Sequence, residues 1–286
     1  MHDAAGPGPY DRLVIYYLQG RVAEEPSVDS GYIGTWQEEE SAFVFFHRRA
    51  DDAVMRLISL QPELHLIDRY EMSYDEWQGQ RLQRKTLGDF TIVPLWEVCP
   101  NDAVDHNRCI VMDPGVVFGN GDHPTTQDCL EAIGLAAASM PVATAVDMGT
   151  GTGVLALAAW KIGVRQVIAL DFNRLAVKTA QRNFRINDAQ EHILALHARA
   201  EDCMDMAVDL MIANIHFDVM KRLIASAGFL RKRQFILSGL LRSEVREVEA
   251  MLSRLSATIL RKWERDGIWH TLWGEHLFRD SSCGAR

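Results

Sequence analysis

One stretch, residues 145–156, constrains the fold more than any other part of the chain. Its sequence AVDMGTGTGVLA runs from an apolar strand through three glycines, Gly149, Gly151 and Gly153, into an apolar helix. Glycine has no Cβ, so the backbone can turn tightly there and approach a ligand closely. The helix would point its unpaired N–H groups back at the turn. With Asp147 at the end of the strand, the stretch predicts a nucleotide-type cofactor site.

Strands and helices alternate from Thr144 onward, and alternation of this kind is typical of a parallel sheet with helices on both faces. Strands are predicted over 144–147, 166–170, 193–197, 209–213 and 235–238, and helices over 153–162, 175–186, 219–227 and 243–253. The last two strands, 258–264 and 269–277, have no helix between them and predict an antiparallel hairpin around Asp266-Gly267. The predicted fold class is therefore α/β.

A smaller α+β unit precedes this region. Strands are predicted over 13–18, 32–36, 42–46 and 64–67, with a helix that opens at Asp51. The run Glu38-Glu39-Glu40 is expected to be a solvated hairpin turn or a contact for a basic partner.

A connecting segment follows. Ser73 is expected to cap a polar helix over 73–86, and Pro94 to place the strand 90–96 near a sheet edge. After a strand at 110–112, the glycine-rich loop 113–126 would end with Thr125 or Thr126 capping the next helix. Asp113 is expected to tie this loop down, and Trp77 and Trp96 to pack between domains.

Composition excludes several classes of protein. A formal net charge of −9 disfavours broad binding to nucleic acid, although it suits a basic protein partner. No apolar run is long enough to span a membrane, and the first nine residues lack the features of a signal peptide. The five scattered cysteines favour reduced thiols in a cytoplasmic protein and argue against a metal site.

The glycine pattern alone does not name the cofactor. Gly151-x-Gly153-x-x-Ala156 also satisfies the dinucleotide fingerprint, and Asp171 at the end of the second strand would suit the ribose of either cofactor. Asp147 is awkward beside a pyrophosphate but suits the ammonium and sulfonium of S-adenosylmethionine. Asn214 at the end of the fourth strand and the final hairpin also favour this methyl donor.

Several motifs together resemble the PrmA family, the bacterial methyltransferases of ribosomal protein L11. They are DPGVVFGNGDHPTT at 113–126, VDMGTGTGVLALAAWKIG at 146–163, Asp171, ANI at 213–215 and LSGLL at 237–241. The resemblance covers about residues 90–278 and is most specific in the 113–126 loop. It implies a class I (Rossmann-like) S-adenosylmethionine-dependent methyltransferase fold that acts on lysine side-chain and N-terminal amines.

The resemblance also implies site residues and domains. Thr126, Gly149, Asp171 and Asn214 would contact the cofactor, and the loop carrying Phe118 and Gly119 would fold over it. Residues 1–72 would be a small substrate-recognition domain, 73–105 a linker helix and strand, and 106–280 the methyltransferase domain. The family's first domain is ferredoxin-like and docks a ribosomal protein, whereas residues 19–31 lack the periodicity of its first helix. A monomer with a protein substrate is expected.

Catalytic roles are expected for two residues after the fourth strand. Asn214 would accept a hydrogen bond from the target amine and orient its lone pair. His216 would take part in acid–base work, or else pack against substrate or face solvent. His123 would relay a proton or hold its loop, and Phe217 would stack on a substrate or pack in the core.

Other functions stay open. Base-amine methylases of nucleic acid carry Pro-Pro and an aromatic after this Asn, whereas Asn214-Ile215-His216-Phe217 has the aromatic without the prolines. A dehydrogenase would bind nicotinamide instead. The amine could also belong to another protein or a small molecule, or the chain could be an inactive methyltransferase-like binding module.

Overall fold

The computed structural model describes residues 8–26, 31–98 and 108–276, which form three sheets flanked by helices. The strands are β1 (Arg12–Gln19), β2 (Tyr32–Gln37), β3 (Ser41–Phe46), β4 (His65–Ser73), β5 (Lys85–Leu87), β6 (Phe90–Pro94), β7 (Cys109–Met112), β8 (Thr144–Met148), β9 (Gln166–Asp171), β10 (Ile193–His197), β11 (Val208–Asn214), β12 (Lys232–Leu241), β13 (Ala257–Arg265) and β14 (Trp269–His276). The helices are α1 (Asp51–Leu60), α2 (Tyr74–Gln78), α3 (Pro124–Ser139), α4 (Val154–Lys161), α5 (Arg174–Ile186), α6 (Phe217–Ala225) and α7 (Arg242–Leu252).

The N-terminal sheet has the strand order β2-β3-β1-β4, and all its pairings are antiparallel. Together with the crossover through α1, this is the arrangement of a ferredoxin-like sheet. Residues 20–26, between β1 and β2, form no helix, as their sequence predicted. The predicted hairpin around Glu38-Glu39-Glu40 is also present, and its three glutamates are exposed.

The connecting segment departs from its prediction in three ways. Ser73 caps α2 and forms a capping box with Glu76, but the helix ends at Gln78, where Gly79 with its left-handed φ of 80° is the C-cap. Residues 85–87 are a strand instead of the end of a long helix. Pro94 does not mark an edge, because β6 is the central strand of the sheet β5-β6-β7. Pro94 is tolerated there because β5 pairs only with residues 90–92, so Pro94 has a neighbouring strand on the β7 side alone.

The large sheet confirms the predicted α/β class. Its strand order is β10-β9-β8-β11-β12-β14-β13, with parallel pairing from β10 to β12 and an antiparallel β13–β14 hairpin at the end. Asp266 and Gly267 form the hairpin turn with φ values of 54° and 65°. The predicted strand end at Leu277 lies outside the described residues.

Helices cover both faces of this sheet. One apolar core packs α3, α4 and α5 against it, and a second packs α6 and α7 against the other face. Because β8, β9 and β11 run parallel, their carboxyl ends meet at one edge, which is where α/β sheets bind ligands. No helix in the described part of the chain is long and apolar enough to cross a membrane.

Candidate active site

The turn after β8 has the strained backbone that its glycines predicted. Gly149, Gly151 and Gly153 have φ values of 75°, 55° and 87°, a region that favours glycine. A Cβ on Gly151 would lie 2.6 Å from the Phe118 carbonyl oxygen, and one on Gly149 would lie 2.4 Å from a methyl carbon of Ile215. The glycines therefore also serve to let two other segments of the protein close over the turn.

Asp147 lies beneath this turn with 1% of its surface exposed. Its Oδ2 accepts a hydrogen bond of 2.6 Å from the Thr150 hydroxyl, while its buried Oδ1 has no partner within the described residues. Burial raises the pKa of this carboxyl to about 7. A carboxylate with an unused buried oxygen is suited to a ligand that brings a donor or a positive charge.

Asp171 ends β9 on the other side of the turn and is 6% exposed. Its two oxygens accept hydrogen bonds from the backbone N–H groups of Gly151 at 3.1 Å and Asn173 at 2.8 Å. Burial raises the pKa of this carboxyl, and the two N–H groups partly offset that effect. Asp171 thus fixes the glycine turn to the start of α5 and lies where the sequence places a ribose-binding acid.

The glycine-rich loop 113–126 is bonded to α5 at its start and to the glycine turn further along. Buried Asp113 pairs with Arg182 at 2.7 Å and accepts a hydrogen bond from the Gly115 N–H. Thr152 donates its hydroxyl to the Gly119 carbonyl at 2.7 Å and its N–H to the Phe118 carbonyl at 3.2 Å. These bonds hold Phe118 beside the glycine turn, where 60% of its surface is exposed.

The end of the loop reaches Asn214 through a hydrogen-bonded relay. Asn214 Nδ2 donates to the Thr125 hydroxyl at 3.2 Å, and that oxygen lies 2.6 Å from His123 Nδ1. His123, not Thr125 or Thr126, is the N-cap of α3, because Pro124 occupies the first helical position. Burial lowers the pKa of His123, which favours the neutral ring as an acceptor in this relay.

Thr126 is therefore free of the capping role. It is 1% exposed, and its hydroxyl oxygen has no partner among the described residues. Like Asp147 Oδ1, it is a buried polar atom that a bound ligand would satisfy. These two atoms, together with the glycine turn and Asp171, fit the cofactor that the sequence predicts.

His216 is near Asn214 in sequence but faces outward. It is the N-cap of α6, where Nδ1 lies 3.4 Å from the Asp218 N–H, and 79% of its side chain is exposed. Phe217 is half-buried, and Lys221 Nζ lies 4.4 Å from its ring centroid. The structure thus places Asn214 within the relay and His216 at the rim.

A cavity of about 530 Å³ opens beside the loop. Its walls come from residues 76–80, which are the end of α2 and the turn after it, and from the glycine-rich loop, and they include Trp77, Phe118 and His123. The His123 ring lies 5.5 Å from that of Phe118 and 4.8 Å from that of Trp269, measured between centroids. His123 thus connects this cavity to Thr125 and Asn214.

Sequence reasoning missed several polar residues that build this site. Thr150, Thr152 and Asn173 hold the turn, and Asn183 bridges the Thr152 carbonyl and the Asp113 N–H. The T-G-T pattern between the glycines was a usable signal, because threonine hydroxyls in such a turn can bond to nearby backbone. Within the described residues, no group of His, Cys, Asp and Glu is arranged to hold a metal ion.

Comparison with known proteins agrees with this geometry. The profile of the ribosomal protein L11 methyltransferase (PrmA) family matches residues 30–276. A curated ribosomal protein L11 methyltransferase from Staphylococcus aureus is 34% identical over 205 residues, which cover 71% of this chain. The chain spans 64% of the length of that relative.

A solved structure is also similar. The crystal structure of a ribosomal protein L11 methylase from Lactobacillus delbrueckii subsp. bulgaricus superposes with a TM-score of 0.60 at 30% identity. The match covers 68% of this chain and 99% of the other. On the strength of the profile match and these relatives, the chain belongs to the ribosomal protein L11 methyltransferase (PrmA) family.

Proposed function

We propose that this protein is an S-adenosylmethionine-dependent methyltransferase that acts on an amine of a protein. Its substrate class is that named for its relatives, ribosomal protein L11, and its target is a lysine side chain or an N-terminus. The observation that carries the proposal is the edge where β8, β9 and β11 end. There the unpaired Asp147 oxygen and the Asn214 amide flank one glycine turn.

The cofactor would be held by groups on both sides of this turn. Asp171 would bind its ribose, Asp147 and Thr126 would satisfy its polar groups, and Phe118 and Gly119 would cover it. S-adenosylmethionine supplies a methyl group made electrophilic by a positively charged sulfur. The protein's remaining task is to align an amine with that methyl group and to exclude water.

The amine must first lose a proton. A lysine has a reference pKa of about 10.4, so its neutral form at pH 7 costs roughly 4 to 5 kcal/mol. A partly desolvated site reduces this cost by disfavouring the ammonium. Since Thr125 accepts from the Asn214 nitrogen, the amide oxygen is the atom that can accept from the amine and orient its lone pair. Exposed His216 would pass the released proton to solvent.

The side chain that carries the amine would dock in the 530 Å³ cavity, whose wall residue His123 contacts Thr125, the partner of Asn214. The exposed aromatic surfaces of Trp77 and Phe118 in its walls suit the aliphatic stem of a lysine. In this proposal residues 1–72 are the recognition domain, residues 73–105 are the linker and residues 106–280 are the methyltransferase domain.

The test uses labelled S-adenosylmethionine and ribosomes from cells that lack their own L11 methyltransferase. We expect label in a band of L11 size, which mass spectrometry would assign to lysine or N-terminal amines, and Asn214→Ala should abolish most of it. Label in another protein would show that the substrate is that protein and not L11. Cofactor binding without any transfer would support a binding module, and binding of nicotinamide cofactors instead would overturn the proposal.

A further inference from the structure

The N-terminal sheet is buried on both faces along β1 and β3, whereas its edge strand β4 is largely exposed. One face packs under α1, where Val54 and Leu57 meet strand residues such as Val14. The other face carries Leu13, Ile15 and Phe45, which form one core with Val117 of the glycine-rich loop and Leu175 of α5. The central strands of the sheet are thus packed against the rest of the molecule.

The linker adds directed contacts to this interface. The Trp77 ring lies 5.1 Å from that of Phe45, and its Nε1 donates to the Val116 carbonyl at 3.3 Å. The Tyr74 hydroxyl donates to the Gly115 carbonyl at 2.8 Å. The sheet, the linker and the loop that covers the glycine turn are therefore packed as one body.

The sheet also reaches the start of α5. A Cβ on buried Gly34 would lie 2.3 Å from a methyl carbon of Leu175, so β2 contacts the helix as closely as a glycine allows. Asn173 caps α5 with its side-chain oxygen and donates its Nδ2 to the Gln37 carbonyl at 3.1 Å. The Asn173 N–H in turn donates to Asp171 at 2.8 Å.

We infer that the N-terminal sheet positions the cofactor site, through the contact of Gly34 with Leu175 and the hydrogen bond from Asn173 to the Gln37 carbonyl. The sheet fixes the start of α5, and the start of α5 fixes Asp171, which also holds Gly151. Gly34 and Asn173 are positioning residues in this role. The inference rests on the proposed function, because it assumes that the site takes S-adenosylmethionine.

Gly34→Val is the first test. Valine suits a strand, and Gly34 does not have the left-handed φ that would strain it, so the new side chain acts chiefly as a wedge against Leu175. We expect the dissociation constant for S-adenosylhomocysteine, measured by calorimetry, to rise about tenfold. Hydrogen exchange should quicken at residues 171–178. Gly34→Val with Leu175→Ala should recover the affinity to within about threefold, because the second change removes the clash.

Asn173→Ser tests the polar contact separately. Serine keeps a capping oxygen but cannot reach Gln37, so it should weaken cofactor binding without melting α5. Lys178→Ala is the matched control. It removes the exposed pair of Lys178 with Glu25 across the same interface, and such pairs contribute little.

The outcomes separate the two hypotheses. A wild-type protein that binds no S-adenosylhomocysteine would refute the proposed function. Wild-type binding with unchanged affinity in folded Gly34→Val and Asn173→Ser would overturn the positioning role. A Gly34→Val protein that fails to fold leaves Asn173→Ser and the double variant to decide.

Discussion

The amide nitrogen of Asn214 lies 3.2 Å from the Thr125 hydroxyl, which joins the end of β11 to the start of α3. Thr125 is 1% exposed, and its oxygen is also 2.6 Å from His123 Nδ1. A hydroxyl that donates to the ring and accepts from the amide determines which atom of Asn214 is left to face a substrate.

Thr125→Val should therefore lower the rate of methyl transfer. Valine has nearly the same volume but no hydroxyl, so the Asn214 amide loses the partner that orients it. We expect kcat to fall about tenfold, the equivalent of 1.4 kcal/mol, with a smaller change in the KM for S-adenosylmethionine. Thr125→Ser keeps the hydroxyl and should retain most of the rate. Equal rates in wild-type and Thr125→Val enzymes would remove Thr125 from the positioning of Asn214.

Asp147 should make cofactor binding depend on pH. Burial raises the pKa of its carboxyl in the free protein to about 7, and a cationic ligand favours the ionised form. Below pH 7 the protein must release a proton in order to bind, so affinity should weaken by up to about tenfold per pH unit. Calorimetry in buffers of different ionisation enthalpy would detect the released proton. Asp147→Asn should bind weakly at every pH, and a wild-type affinity that is flat between pH 5.5 and 8 would contradict this role.

The same carboxyl should destabilise the ligand-free fold as pH rises. In the unfolded chain its pKa is near the ordinary value of about 3.9, so between pH 4 and 7 the folded state holds more protons. The stability from this group is full below about pH 4 and is lost as pH rises to 7. The melting temperature of Asp147→Asn, compared with that of wild type at the same pH, should increase as the pH rises from 5 to 8. A constant difference in melting temperature over that range would contradict the raised pKa.

The large sheet was predictable because its strands are short apolar runs separated by amphipathic helices. This pattern fixes an element's type from local sequence alone. The ends of β9 and β11 placed Asp171 and Asn214 at one edge for the same reason, since parallel strands share a direction. Strand order was not predictable, because it depends on pairings between distant segments.

The errors came from local features that compete with one another. Thr125 and Thr126 are good caps, but Pro124 moves the start of α3 back and makes His123 the cap. Gly79 ends α2 early, although the polar residues that follow it are compatible with a continued surface helix. The contact between Gln37 and Asn173 joins residues 136 positions apart and has no local signal.

Gly151→Ala should weaken cofactor binding because the added Cβ collides with the loop above the turn, and not because of backbone strain. Its Cβ would lie 2.6 Å from the Phe118 carbonyl oxygen, so the loop above the turn would have to move. Gly88 is the matched control, since its φ of 58° is close to the 55° of Gly151 but nothing lies within 4 Å of a Cβ there. Both alanines should cost stability of about 1 to 2 kcal/mol from backbone strain. Only Gly151→Ala should weaken S-adenosylhomocysteine binding, and equal losses in the two variants would show that strain alone is responsible.

His216 can act by its ring or only by its helix cap, and two substitutions separate these roles. His216→Ala removes both the imidazole ring and the acceptor of the bond from the Asp218 N–H. His216→Asn keeps a capping acceptor, because asparagine is a preferred N-cap residue, but it cannot carry a proton. If His216 passes the amine's proton to solvent, both variants should lose kcat by about 100-fold or more, the usual range for general acid–base groups.

The pH profile of kcat decides the same question independently. An acid–base role predicts that both variants change the shape of this profile in the same way. A capping role predicts normal kcat for His216→Asn at all pH values. It also predicts that His216→Ala loses roughly 1 kcal/mol of stability, which would be seen as a lower melting temperature. Because 79% of the His216 side chain is exposed, neither variant should disturb the core. A normal kcat and pH profile in His216→Asn would therefore assign the residue to the cap and leave Asn214 as the group that meets the amine.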